Sequence, residues 1–354
     1  MNKFLQGLYR SLLAIILRGR RVKAQEGSIL IVALWMLCFL TTSTVYLGVS
    51  VRQKLTLVHR LNQRAELYSI AEAGIKQALV IFKLEDDTPG FDTVTEFENK
   101  SLFRQISMGQ GTWTVSYKYE EDGSNVTKYG FIDEDSKINL NKARVNVIIN
   151  LLENTADLGR EQARELGHCI IDWRDADSSF QHAQYGAEDS DYRFLSKSYE
   201  CKDGDFEVLE EVLLVKGMTE KIFNRIKDNI TIYGSGVINI NTASENVLAA
   251  LDLDEDLISK ISSFRKGSDS NIGTDDDFVF INPGIIVTEL DSFYTLTGAE
   301  KDKLNELVSK GLVGTKSNCF MIRSTARLKN KNQRAEIITV VNREGQIKYW
   351  RCRY

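Results

Sequence analysis

Between Ile170 and Tyr192 the sequence reads IIDWRDADSSFQHAQYGAEDSDY, which gathers six carboxylates, Asp172, Asp175, Asp177, Glu188, Asp189 and Asp191, into one short stretch with Gly186 and several small polar residues. Carboxylates packed this closely repel one another at neutral pH, and a hard cation relieves the repulsion. Ca2+ suits such a loop, because it accepts about six to eight oxygen ligands in flexible geometry, whereas Mg2+ keeps more waters and fewer protein ligands. The spacing is not that of an EF-hand, so a solvated acidic loop is the plain alternative. A second acidic run, Asp275 to Asp277, lies in a loop bearing Gly and Ser and reads as a solvated turn or a second cation site.

Other chemistry finds little support. Paired carboxylates serve glycoside hydrolysis, and His168 beside Cys169 has the residue types of a base and a nucleophile, the marks of a membrane-anchored hydrolase. Yet the chain has only 3 histidines, one of them His59, and neither a GxSxG elbow nor a glycine-rich phosphate loop occurs. The sequence is read as non-catalytic. The 5 cysteines include Cys38 inside an apolar run, and no CxxC pair suggests zinc. Cys169, Cys201, Cys319 and Cys352 are even in number and in an oxidising compartment can form two disulfides. Sequence permits three pairings, and proximity favours Cys169 with Cys201 and Cys319 with Cys352.

The elements that must position these residues begin with a membrane segment. Ser28 to Val51 is free of charge, and a helix of that length spans a hydrocarbon core of about 30 Å. Lys3, Arg10, Arg18, Arg20, Arg21 and Lys23 precede it against a single Glu26. The positive-inside rule then keeps the N-terminus cytoplasmic and sends the bulk outward. Residues 52–83 continue without proline and repeat apolar residues at helical spacing through Leu55, Val58, Leu61, Ala65, Tyr68, Ala71, Ile75, Ala78 and Phe82. Overall net charge is −4 despite the basic leader, so the part beyond the membrane is acidic, which argues against nucleic acid and agrees with cation binding.

Beyond Pro89 the pattern changes period. Thr112–Glu120 and Asn125–Asp133 read as a hairpin, and CFMIRSTARLK, AEIITVVNR and QIKYWRCRY as three more strands, together one antiparallel sheet of about five. Residues 100–136 and 316–354 thus form a β-sheet domain, split by an α-helical domain at 137–315. Inside that insert SKINLNKARVNVIINLLE recurs as GVININTASENVLAALD, each with an Ile-Asn-x-Asn element ahead of a helix that Asn141 or Thr242 is placed to cap. Segments FEVLEEVLLVKGMTEKIFNRIKDNI, turning at Lys216 and Gly217, and DEDLISKISSFRK look like helix-hairpin-helix elements. Such hairpins bind DNA elsewhere, but the acidic charge favours packing alone.

The leader ends QEG directly before SILIVALWMLCF, which resembles the signal of type IV pilins and pseudopilins. It implies cleavage by a prepilin peptidase after Gly27, leaving Ser28 as the N-terminus for methylation. At the fifth mature position most pilins carry glutamate, and here it is Val32, as in the minor pseudopilin K family of type II secretion. A helical insert splitting a pilin sheet, and the DWxDxD and GAEDxxY strings at residues 172–192, resemble the same family, although the usual proline before GAE is missing. The resemblance implies an α+β fold, a long N-terminal helix on an antiparallel sheet with an inserted all-α domain. It implies a subunit at the tip of the periplasmic pseudopilus, anchored once in the inner membrane, supporting pseudopilus assembly and protein secretion. Calcium is the implied ion. The implied partners are minor pseudopilins I and J, the major pseudopilin, the inner-membrane assembly platform and the prepilin peptidase. A minor pilin of type IV pili or DNA uptake, using its hairpins on DNA, is the alternative.

Overall fold

The computed structural model describes residues 26–84, 91–94, 98–121, 124–182, 184–194, 197–272, 274, 276–329 and 332–354. Most of the leader expected at 1–27 lies outside the described residues, as does Asp275. Gly27 and Ser28 fall in the first turn of helix α1 (Glu26–Leu84).

The chain divides into two units, one ending at Gln63 and one running from Arg64 to Tyr354. In the first, α1 exposes apolar side chains all round, among them Ile29, Leu30, Trp35, Phe39, Tyr46 and Leu55. From Ile29 to Ile81 this helix is long and apolar enough to cross a membrane, with a stretch of mean hydropathy 2.0. Its threonine hydroxyls bond within the helix: Thr41 donates to Cys38 O at 2.9 Å and Thr44 to Leu40 O at 2.7 Å. That arrangement suits a segment without water to bond.

In the second unit α1 becomes one-sided. Leu67, Ile70, Ala71, Ile75 and Ala78 are buried at helical spacing against the sheet, so the expected stripe packs only in its later half. Leu55, Val58 and Leu61 stay exposed. After a short α2 (Lys100–Phe103), the sheet runs β1 (Ile106–Met108), β2 (Gly111–Val115), β10 (Cys319–Leu328), β11 (Arg334–Asn342), β12 (Ile347–Arg353), with β5 (Ile132–Asp133) also on β10. Pairing within it is antiparallel. From Phe320 onward strand β10 alternates: Phe320, Ile322, Ala326 and Leu328 face the helix, while Arg323 and Arg327 face away. Gly74 lets the helix close on Trp113 and Ser324, since a Cβ there would collide with both.

One expectation needs correcting. The hairpin forms, but from β3 (Tyr117–Glu121) and β4 (Ser124–Lys128) as a separate two-stranded sheet. The run from Thr112 breaks at Ser116, whose N–H bonds Arg323 O, because its first half is needed in the main sheet.

The insert holds its own core, distinct from that of the sheet. Two copies of one unit build it. The first has β6 (Ile138–Asn139), α3 (Val145–Ala156), α4 (Arg160–Arg174), a short α5 (Asp189–Arg193), a 3-10 turn (Leu209–Leu214), α6 (Glu220–Ile226) and β7 (Ile230–Thr231), which pairs parallel with β6. The second has β8 (Ile238–Asn239), α7 (Glu245–Ala250), α8 (Glu255–Arg265), a 3-10 turn (Pro283–Ile285), α9 (Ile286–Phe293), α10 (Gly298–Ser309) and β9 (Val313–Gly314), parallel to β8.

The asparagines of the repeat do not cap helices. Asn141 exchanges two hydrogen bonds with the backbone of Phe206, and Asn241 does the same with Phe280. Arg174 and Arg265 at the ends of α4 and α8 each donate to an alanine carbonyl at 2.6 Å, Ala143 and Ala243. Each unit is thus stitched by an Asn and an Arg that tie three segments distant in sequence. Thr242 instead donates to Asp133. Ser244 supplies the cap of α7, and α3 starts at Arg144 without a side-chain cap.

Sheet and insert join through three buried acids. Asp133 accepts from Asn239, Thr242 and Ser317, and Asp135 from the backbone of Ser235, Asn318 and Cys319. Asp92 accepts from Ser317 N at 2.7 Å and pairs with Arg343. Burial, with Asp135 beside it, pushes the Asp133 carboxyl up to about 7.

Candidate functional site

Helix α4 delivers the first acid of the motif from its last turn. Asp172 is fully buried, and its oxygens accept from Gln181 N and Ala187 N, both at 3.0 Å, which folds the following loop back onto the helix. Gly186 sits at φ +118 with its α-carbon against Asp172 Oδ2, a place no Cβ fits. The loop is pinned on its other side by rings: Tyr185 stacks on His182 with centroids 4.7 Å apart, His168 of α4 lies 5.0 Å from His182, and Tyr185 bonds Glu161.

Inside this fold several carboxylates face one another, with Arg174 the cation beside Asp175. Burial first, then Asp172 and Asp177, push Asp175 up to about 6. Burial first, then Asp172, Asp175, Asp203 and Asp177, push Glu188 up to about 7. Glu188 is only 4% exposed, yet its Oε1 has no partner, and Asp175 Oδ1 is likewise buried and unpartnered. Unpaired buried carboxylate oxygens are costly to a fold. Glu188, Cys201 and Asp203 bring a ligand atom each within 4.8 Å of one another.

The six acids of the motif therefore divide. Asp172, Asp175, Asp177 and Glu188 converge. Asp189 and Asp191 turn to structural work: Asp189 accepts from Cys201 N and pairs with Arg193, both at 2.9 Å, and Asp191 pairs with Lys216 at 2.8 Å. Asp203 joins the converging set and was missed in sequence, although the acidic CKDGD turn after Cys201 was its signal. Hard oxygen donors crowded with unsatisfied lone pairs fit a Ca2+ ion. Burial pushes the Cys201 thiol up to about 12, and it donates to Asp172 O.

All five cysteines are free thiols. Cys319 lies opposite Asn342 and Cys352 opposite Ile337, so the two are displaced five residues along β11, roughly 17 Å, far beyond the ~7 Å that a disulfide bridges. The expected pairing of Cys319 with Cys352 is thus ruled out by register. Cys169 and Cys201 are both buried around Tyr192 in the core of the insert and are unbonded.

The hairpin turn at Lys216 and Gly217 offers little to DNA. Gly217 takes φ +83, and Lys216 is spent on Asp191.

Residues 125–235 match the family model described as type II secretion system protein K. No curated protein matches the chain. Among solved structures, one chain of "The Crystal Structure of the GspK-GspI-GspJ complex from enterotoxigenic Escherichia coli Type 2 Secretion System" shares the fold with a TM-score of 0.62 at 17% identity. The match covers 84% of this chain and 99% of that one. Residues 125–235 are thus similar to protein K of the type II secretion system, and the chain shares its α+β fold with a GspK chain.

Proposed function

We propose that this protein is a non-catalytic minor pseudopilin that caps the periplasmic pseudopilus of a type II secretion system and assembles there with minor pseudopilins I and J. The observation that carries this reading is the pilin sheet split by a duplicated helical insert, matching nearly the whole length of a GspK chain solved in complex with GspI and GspJ. Val32 supports the tip position, because a subunit without the usual glutamate brings no carboxylate to pair with a neighbour's N-terminal amine. The apolar part of α1 would anchor the protein in the inner membrane, with the leader cleaved between Gly27 and Ser28 and the bulk periplasmic. The major pseudopilin, the assembly platform and the prepilin peptidase complete the partners. No observation favours the DNA-uptake alternative.

Calcium belongs to the same proposal. Asp175, Asp177, Glu188 and Asp203 would hold the ion, Asp172 shaping the loop around them. A bound ion would neutralise the converging charges and fasten the loop between Arg174 and Phe206 to the end of α4. Deleting the gene should abolish secretion of the host's type II substrates, and the intact chain should restore it. Unchanged secretion in the deletion strain would refute the assignment.

A further inference from the structure

The face of the main sheet turned away from α1 is an arginine surface. Alternation along β10, β11 and β12 places Arg323, Arg327, Arg334, Arg351 and Arg353 on it, with Glu336 as the one acid of those strands facing the same way. Register brings Arg327 directly opposite Arg334 across β10 and β11, a like-charge pair that costs the sheet stability. Arg323 reaches Glu336 at 3.9 Å. Arg327, Arg334 and Arg353 are exposed; Glu336 stands opposite Arg353 in the register, whereas the residue opposite Arg327 is Arg334 itself. Between them stand Thr112, Thr114, Thr325 and the half-buried Ile338, hydroxyls and apolar groups mixed with the charge.

One carboxylate already lands here from another part of the fold. Glu210, on the first 3-10 turn of the insert, is held by Arg351 at 2.9 Å, with Tyr233 and Tyr349 close by at 6.3 Å between ring centroids. The face thus receives a protein carboxylate at its upper end and leaves the lower arginines unfilled.

We propose that the outward arginine face of the sheet is a docking surface for a carboxylate-rich protein segment, laid across Arg327, Arg334 and Arg353 beside the site where Glu210 is bound. Guanidinium forks match carboxylates in two-point geometry, and the interleaved threonines and Ile338 suit a polypeptide better than a phosphate. The helix occupies the other side of the sheet, so a partner on this face approaches independently of contacts made through α1. The like-charge pair of Arg327 and Arg334 is then a cost in the free subunit that a bound acidic segment removes.

The test uses the full chain in detergent and a fluorescent peptide of ten glutamates. Binding is expected at low salt and should weaken as salt rises. Arg327→Glu together with Arg334→Glu should lower affinity at least tenfold, and Arg160→Glu on the insert should leave it unchanged. Arg327→Glu alone turns a like-charge pair into an opposite one, so it should melt no lower than wild type while still losing affinity. Inorganic phosphate should displace the peptide no better than chloride at equal ionic strength. Absence of binding, an equal loss on Arg160→Glu, or preferential displacement by phosphate, which would point to lipid head groups, would each overturn the proposal.

Discussion

The loop after Arg174 and the loop after Arg265 leave equivalent corners of the two repeated units, and each is rich in aspartate, yet they treat their charges in opposite ways. In the second loop Asp276 accepts from Ser268 N at 2.7 Å, Asp269 N at 3.0 Å and Thr274 Oγ1 at 2.8 Å. The Thr274 hydroxyl, followed by those backbone donors, holds Asp276 below the usual carboxylate range. In the first loop burial and mutual repulsion raise Asp175 and Glu188, and each keeps an unpartnered buried oxygen. A count of acids does not distinguish the two; the supply of donors does. Backbone N–H groups reach Asp276 in the second loop and Asp172 and Asp177 in the first, but Asp175 and Glu188 keep oxygens that none of them reaches.

The largest expected consequence follows from withdrawing calcium. An ion bound only by the folded state at 100 times its Kd adds about 2.7 kcal/mol, so EDTA should lower the melting temperature by several degrees. Asp175→Ala or Glu188→Gln should erase that increment. The metal-free variants should be no less stable than metal-free wild type, because repulsion is relieved as well. If Asp276→Asn also erases the increment, the distinction between the loops fails.

Next comes Gly186, whose φ of +118 and contact with Asp172 exclude a side chain. Gly186→Ala should cost about 1–3 kcal/mol of backbone strain and weaken calcium binding with it, read by thermal denaturation with and without the ion.

A smaller effect separates how the two repeats are moored. Asn139 of the first repeat bonds the carbonyls of Tyr233 and Gly234, whereas Asn239 of the second bonds Asp133 of the sheet. The folded pKa of Asp133, near 7, exceeds its unfolded value, so the stability it contributes is present in full below about pH 4 and is lost as pH rises through 7. Asp133→Asn should flatten the decline in stability between pH 5 and 8 by about 1–2 kcal/mol. An unchanged pH profile would show that the junction acid does not titrate. The smallest effect is expected at Asp276→Asn, where the amide oxygen can still accept from the Ser268 and Asp269 N–H groups, leaving the melting temperature nearly unmoved and the calcium increment intact.

Much of this was legible in residue order. The apolar run, the strand alternation of CFMIRSTARL and the Ile-Asn-x-Asn repeat each carry a period that a single element enforces. The roles of the repeat asparagines were not legible, because Asn141 and Asn241 act on Phe206 and Phe280, partners far along the chain. Local spacing suggested a cap where tertiary closure was the use. The ion pairs of Asp189 with Arg193 and of Asp191 with Lys216 were not legible either, because composition places both acids beside Glu188 and gives no sign of these partners. Cys352 was misjudged because nearness to Cys319 in sequence says nothing about register.

Native mass spectrometry of the full chain co-expressed with its own minor pseudopilins I and J tests the central reading most directly. The expected result is an assembly with one copy of each subunit, carrying bound calcium that disappears on Glu188→Gln. A chain that stays alone in the presence of both, with or without calcium, would contradict it.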